Sequence, residues 1–255
     1  VTEGKRMGVK EFYLTGGESF LNKEIYDILA DTLAVGPASV LTNGTVIRQR
    51  VAARLKAISD ASIYSLELRV SLDGFDAASN DRLRGAGSFD LAIKGIKALV
   101  EVGFLPIITA VQTWTDCERS QILENFKRTM REIGYTRPRI KIIPALNLGE
   151  HKRNRKDDPQ EYLVTEEMMA VSDPGQLLCS NSRIVTDKGV FVCPILVDAR
   201  DANLGATLEA ASGPYRLSHK ACYTCYMAGA ICSNFASSAR EAASSPTANH
   251  KRSQE

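Results

Sequence analysis

The chain has 255 residues, of which 44% are hydrophobic and 24% charged, with 32 Lys+Arg against 30 Asp+Glu. This is the composition of one large globular domain, or one domain and a small appendage, and it excludes a disordered chain, a collagen-like repeat and a coiled coil. A formal net charge of +2 is too balanced for a protein built around a phosphate backbone, and no apolar run approaches the length of a membrane span, so no nucleic acid and no membrane is expected as a partner.

In chain order, Lys10-Glu11-Phe12-Tyr13-Leu14 reads as a strand ended by Gly16-Gly17. Asn22 is expected to cap a helix running to about Val35, with Ile25, Ile28, Leu29 and Leu33 at helical spacing. Ser39 to Thr42 is the next strand, stopped by Asn43-Gly44, and a helix follows from Val46 to about Ile58. Tyr64 to Ser71 is a strand turned by Asp73-Gly74, and Ser88 precedes a helix to about Val102. Pro106 to Val111 is a strand, Glu118 to Ile133 a helix, and Ile140 to Ile143 a strand stopped at Pro144. Five such steps imply an α/β fold with a parallel sheet and right-handed crossovers, occupying residues 1–145.

Beyond it the pattern lapses into a linker with a helix, 146–175, in which the basic run from His151 to Lys156 is read as a solvated loop. Residues 176–235 form a small cysteine-rich extension, and 236–255, Ser/Ala-rich and charged, a disordered tail. Within the extension, Arg183 to Thr186 and Val190 to Val192 flank Asp187-Lys188-Gly189, a short-loop hairpin signal.

Two groups of residues carry chemistry. Polar segments fall where the strands end, and in parallel α/β folds ligands bind at that edge. Gly16 and Gly17 let a backbone approach a ligand with no Cβ in the way, and Glu18 offers a carboxylate to an ammonium. Ser71 and Asp73 place a hydroxyl and a carboxylate at another strand end, suited to ribose hydroxyls or to a turn, and Asp81 to Gly85 adds a cation near the same rim. The second group is thiol. Cys179 and Cys193 bracket the hairpin, and Cys222-Tyr223-Thr224-Cys225 supplies two more ligands from one turn. Four thiolates suit a structural zinc or an iron–sulfur cluster, and spacing does not separate the two. Cys232 is a fifth candidate held in reserve, and Cys117, alone before a helix, reads as a packed thiol. An odd number of clustered cysteines with a C-x-x-C and no secretory signal favours metal over disulfides and a cytoplasmic setting.

Taken together, the stretch from Gly8 to Glu18, the Leu-Thr-Asn-Gly-Thr of residues 41–45 and the "SLDGFDAASNDRLRGAGSF" of residues 71–89 resemble the radical S-adenosylmethionine (SAM) superfamily. The C-terminal cysteines resemble a twitch or SPASM-type extension with an auxiliary [4Fe–4S] cluster, and the resemblance runs from about Gly8 to Cys232. It implies a partial (β/α)6 TIM-like barrel binding SAM, with Gly16, Gly17 and Glu18 at the methionyl amino group. It further implies Ser71 and Asp73 near the ribose, Arg84 at the carboxylate and Asn43 on the rim. Such proteins use an electron from a cluster to cleave SAM, and the resulting 5′-deoxyadenosyl radical takes hydrogen from a substrate. A reducing electron donor and a peptide or small-molecule substrate are therefore the expected partners.

The family's cluster-binding C-x-x-x-C-x-x-C lies upstream of the GGE strand, and here no cysteine precedes Cys117. The first βα unit is thus expected to be missing, the chain to be an N-terminally truncated fragment unable to cleave SAM as written, and the Phe12-Tyr13-Leu14 edge to be exposed and prone to aggregate. The competing reading is a non-catalytic α/β binding protein with a structural four-cysteine zinc site.

Overall fold

In this computed structural model, which describes residues 1–145, 162–173, 175 and 177–228, the alternation of apolar runs and amphipathic stretches becomes a parallel sheet with helices on one face. The strands are β1 (Phe12–Leu14), β2 (Ala38–Thr42), β3 (Leu66–Ser71), β4 (Ile107–Gln112) and β5 (Arg139–Pro144), hydrogen-bonded in that order and all parallel. The basic run 151–156, the tail 236–255 and Cys232 lie outside the described residues.

The register explains which residues are core. Side chains alternate across a strand, so Leu14, Val40, Leu68 and, one row on, Val70 and Ile108 share one face. Against it pack Leu29 and Leu33 of α2 (Ile25–Leu33), Ala52 and Leu55 of α3 (Gln49–Asp60), Ile96 and Leu99 of α5 (Ser88–Glu101), and Phe126 and Met130 of α6 (Arg119–Glu132). The other face mixes apolar and polar residues. Ser39, Glu67, Arg69, Ser71, Thr109 and Lys141 lie there, with Glu67 accepting from Arg69 Nε at 2.9 Å and Arg139 Nη2 at 2.8 Å. Burial raises the Glu67 pKa, but the hydrogen bonds and charges of these two guanidinium groups pull it below the usual carboxylate value. Arg69, itself buried, stacks under the Tyr13 ring, whose hydroxyl is pushed up to about 12 by burial and by its bond to Glu11.

Several boundaries differ from expectation. A short helix, α1 (Thr2–Arg6), precedes β1, and its Gly4 lies against the Phe12 ring. Asn22 does not cap α2; its side chain closes a local turn with the Glu24 N–H, and the helix starts at Ile25 after a 3-10 turn at Ser19–Leu21. Helix α3 starts at Gln49 rather than Val46, because Gly44 turns the chain with φ +75° and Ile47 is buried in the connection. Helix α4 (Ala77–Arg84) carries one large apolar residue, Leu83, and leaves no hydrophobic periodicity to read. Cys117 is exposed rather than packed, in the turn Asp116–Glu118 that leads into α6.

After the sheet, α7 (Glu166–Ala170) is tied to the C-terminal helix α8 (Lys220–Ala228): the Tyr226 hydroxyl bonds the Met168 carbonyl at 2.9 Å and also meets Ser172. Between them the expected hairpin forms as β6 (Ile184–Thr186) and β7 (Gly189–Phe191), joined by an unforeseen third antiparallel strand, β8 (Asn203–Gly205). Phe191, Val192, Leu196 and Ala202 make a second small core beneath it. Among the described residues no helix is long and apolar enough to cross a membrane.

Candidate cofactor site

The carboxyl ends of β1, β2 and β3 open onto one rim, as the alternation of strands and helices requires. After β1, Gly16 takes φ +151°, and a Cβ on Gly16 or Gly17 would meet nothing, so the loop faces open space. Glu18 turns back into the protein: its carboxylate accepts from the Thr42 hydroxyl and the Asn43 N–H, both at 2.7 Å, and from the Phe20 N–H at 3.2 Å. A carboxylate has roughly four acceptor positions, so Glu18 joins the ends of β1 and β2 and keeps capacity for one further donor. Asn43 in turn accepts from the Thr45 N–H and hydroxyl at 2.9 and 2.7 Å, which fixes its side chain.

After β3 the geometry tightens. Asp73 accepts from the Val111 N–H at 2.8 Å and pairs with Arg84 Nε at 2.7 Å, joining the β3 and β4 ends to α4. Its own N–H donates to Asn80 Oδ1 at 3.0 Å, and the Asn80 amide donates to the Ser88 hydroxyl at 2.9 Å. Asn80 is wholly buried. Gly74 sits beneath it, where a Cβ would collide with the Asn80 N–H and the Ser79 hydroxyl. Asp81 then accepts from the Gly87 and Phe89 N–H groups at 2.6 and 2.8 Å, anchoring the start of α5. A Cβ on Gly95 would strike the Gly44 carbonyl, so two glycines let α5 lie directly on the β2 turn.

These contacts enclose a cavity of about 330 Å³. Asn43, Ser71, Asp73 and Arg84, four of the residues singled out from the sequence, line it together. Thr45, Asn80, Leu83, Ser88 and Ala92 complete the wall and were not singled out. Asn80 and Ser88 stand inside the quoted 71–89 stretch, so the signal was present but their burial was not readable. Gly16, Gly17 and Glu18 are not among its walls; Glu18 reaches it only through the Asn43 backbone. Hydroxyls, an amide, a carboxylate and a guanidinium in one cleft suit a ligand with hydroxyl groups and charges of both signs.

The thiols form a separate constellation. Cys179, in the turn Leu178–Ser180, Cys193, at the start of the turn Pro194–Leu196, and Cys222, in α8, all pack on the small core. Burial pushes all three thiols above their ordinary value, and their mutual charge repulsion adds to this for Cys179 and Cys222. Cys225, one helical turn beyond Cys222, is half-buried and likewise free of any disulfide. Among the described residues no three metal-ligating side chains already stand around a common point. The chemistry of the donor set nonetheless fits a thiolate-bound metal, because thiols give up their protons on binding one. The cluster that activates SAM is a different matter: Cys117 is the sole cysteine of residues 1–145 and is no ligand set for it.

A profile of the Radical SAM superfamily matches residues 1–126. The chain is 37% identical over 106 residues to "Mycofactocin maturase MftC" of Mycobacterium ulcerans, covering 41% of this chain and 27% of that protein. It is 33% identical over 109 residues to "Probable GTP 3',8-cyclase" of Methanosarcina mazei, covering 42% and 31% respectively. Among solved structures, Streptococcus suis SuiB bound to S-adenosylmethionine aligns with a TM-score of 0.49 at 22% identity, covering 62% of this chain and 35% of that one. The chain thus matches less than a third of the length of these two curated relatives. Members of this superfamily use SAM and a [4Fe–4S] cluster, and residues 1–126 of this chain belong to it.

Proposed function

We propose that this chain is the SAM-binding body of a radical SAM enzyme that acts on a peptide or small-molecule substrate. The observation that supports it best is the cleft in which Ser71, Asp73, Arg84 and Asn43 converge at the carboxyl ends of the strands. In this reading Ser71 and Asp73 meet the ribose hydroxyls, Arg84 meets the ligand carboxylate, and the Gly16-Gly17-Glu18 turn receives its amino group. Arg84 already stands in ion-pair contact with Asp73, so the guanidinium is held beside the cleft before any ligand arrives. When bound and reduced, SAM supplies a radical that takes hydrogen from a substrate. The chain's own part is to hold the ligand's polar groups in the cleft. No residue of the rim is assigned to the SAM-activating cluster.

The relatives named a maturase and a GTP cyclase bracket the substrate classes, and SuiB has been solved with a precursor peptide. Cys179, Cys193, Cys222 and Cys225 are assigned to an auxiliary [4Fe–4S] cluster, with Cys232 in reserve and a reducing electron donor as partner. Four thiolates accept zinc equally well, and iron and acid-labile sulfide analysis after anaerobic reconstitution separates the two.

Calorimetry with S-adenosylhomocysteine, which occupies a SAM pocket without being cleaved, tests the cleft. The parent is expected to bind, and Asp73→Ala and Arg84→Ala to weaken binding by about tenfold or more, since each removes a charge-assisted contact of roughly 1.5–3 kcal/mol. A folded parent that does not bind, or variants that bind as the parent does, would overturn the assignment.

A further inference from the structure

We propose that Arg183 is a positioning residue that clamps the two halves of the cysteine site together; the inference rests on the metal-site reading above. Arg183 immediately precedes β6, and its guanidinium makes four hydrogen bonds, all to backbone carbonyls. Nε donates to Ala211 at 2.7 Å, Nη1 to Cys179 at 2.7 Å and to Ser182 at 2.8 Å, and Nη2 to Gly213 at 2.8 Å. One of these acceptors belongs to the turn that carries Cys179, and Ser182 is Arg183's own neighbour in the chain. The other two belong to the turn at Ala210–Ser212 and its C-terminal neighbour, from which the chain runs to α8 with Cys222 and Cys225.

That connection needs holding. Residues 214–218 have no regular secondary structure, and within them Tyr215 packs on the small core and stacks on His219, so the backbone path from Gly213 to α8 is held by side chains alone. Cys179 and Cys193 stand on the hairpin side, and Cys222 and Cys225 on the helix side. A planar fork of N–H groups spanning both sides sets where the Cys179 turn stands relative to Ala211 and Gly213, so that without it the Cys179 thiolate is lost as a ligand to a metal held by the other three. A lysine cannot reproduce this, because its three donors radiate from one nitrogen.

The full chain, reduced and stripped of metal, is titrated anaerobically with Co²⁺. The readout is the thiolate-to-cobalt charge-transfer absorption per bound cobalt at saturation, which scales with the number of Co–S bonds. A merely structural role for Arg183 would weaken affinity but leave that saturating intensity intact. The expected result is a strong band for the parent and a loss of about a quarter in Cys179→Ala, one thiolate of a four-coordinate site. Arg183→Ala and Arg183→Lys are expected to fall to the Cys179→Ala level. Adding Cys179→Ala to Arg183→Ala should remove nothing more, as two changes acting on one ligand are not additive. Parent-level intensity in Arg183→Ala, or a further drop in the double variant, overturns the clamp. If Arg183→Ala loses its circular dichroism signature, Arg183→Lys, which keeps the stem and the charge, decides the question: the Cys179→Ala level supports the clamp and the parent level overturns it. A parent with no charge-transfer band overturns the metal site itself, and the clamp with it, an outcome distinct from a clamp failing in a metal-binding parent.

Discussion

Two polar residues near the cleft, Asn80 and Thr109, show how differently a buried polar group can be served. Asn80 is fully used: it accepts from the Asp73 N–H and donates to Ser88, so it holds the β3 loop against α5. Thr109, the register partner of Ser71, has a buried hydroxyl with no hydrogen-bond partner among the described residues. An unpaired buried hydroxyl costs free energy that an apolar atom of the same shape does not, on the order of 1–3 kcal/mol. Thr109→Val is therefore expected to raise Tm by a few degrees, at roughly 2–4 °C per kcal/mol for a chain of this size. Asn80→Leu should do the reverse, because it strands the Asp73 N–H. Thermal denaturation followed by circular dichroism checks both; a fall in Tm for Thr109→Val would mean that its hydroxyl has a partner and that the register argument is wrong. Neither residue's state could be read from the sequence, since an Asn and a Thr in a polar stretch look alike whether buried or exposed.

Elements were legible where the physics is carried by apolar residues. The strands β2 and β3 read correctly because β3 alternates Leu66, Leu68 and Val70 with polar residues and β2 is a short run stopped by Asn43-Gly44, and α5 because Ala92, Ile96 and Leu99 recur at helical spacing. Helix α4 was not legible: its stability comes from capping by Asp76 on the Ser79 N–H and from the salt bridge of Arg84, not from a hydrophobic stripe. The three residues of β8 were too few for any periodicity. The start of α5 is held by a carboxylate from α4, and this has a consequence in pH. The Asp81 carboxyl lies below its ordinary value, chiefly because the Phe89 N–H donates to it, with Gly87 N–H and the Ser88 hydroxyl adding to this. A carboxyl whose folded pKa is depressed contributes stability that is present above its unfolded value, about 3.9, and is lost as pH falls through the folded value. Tm is thus expected to be flat from neutral pH to about 5 and to decline below about 4. In Asp81→Asn the decline should be shallower, though not abolished, since Asp76 and Glu67 are depressed in the same way. Identical acid slopes for variant and parent would remove Asp81 from the account.

At the scale of the molecule the described residues form two cores of unequal strength. The larger one is spread over five strands and four helices, whereas the smaller rests on Phe191, Val192, Leu196 and Ala202 with the half-buried thiols around them. So small a core is marginal alone, and the proposed ligation of a metal by its thiols would supply folding free energy that burial does not. Contact between the first helix and the cysteine-rich unit is slight. Arg6 reaches Glu209 at 3.5 Å with both side chains exposed, and the Glu209 N–H reaches Glu3 at 3.3 Å. Exposed pairs of this kind contribute little, so loosening of the smaller unit should not propagate into the sheet. The measurement is hydrogen exchange by mass spectrometry on the metal-loaded full chain, before and after addition of a chelator. Peptides covering β6, β7 and α8 are expected to exchange much faster once the metal is removed, while those covering β2 to β4 and α5 keep their protection. If both regions lose protection together, the two cores fold as one cooperative unit. If neither does, the small core stands without a metal, and the thiols are packing residues rather than ligands.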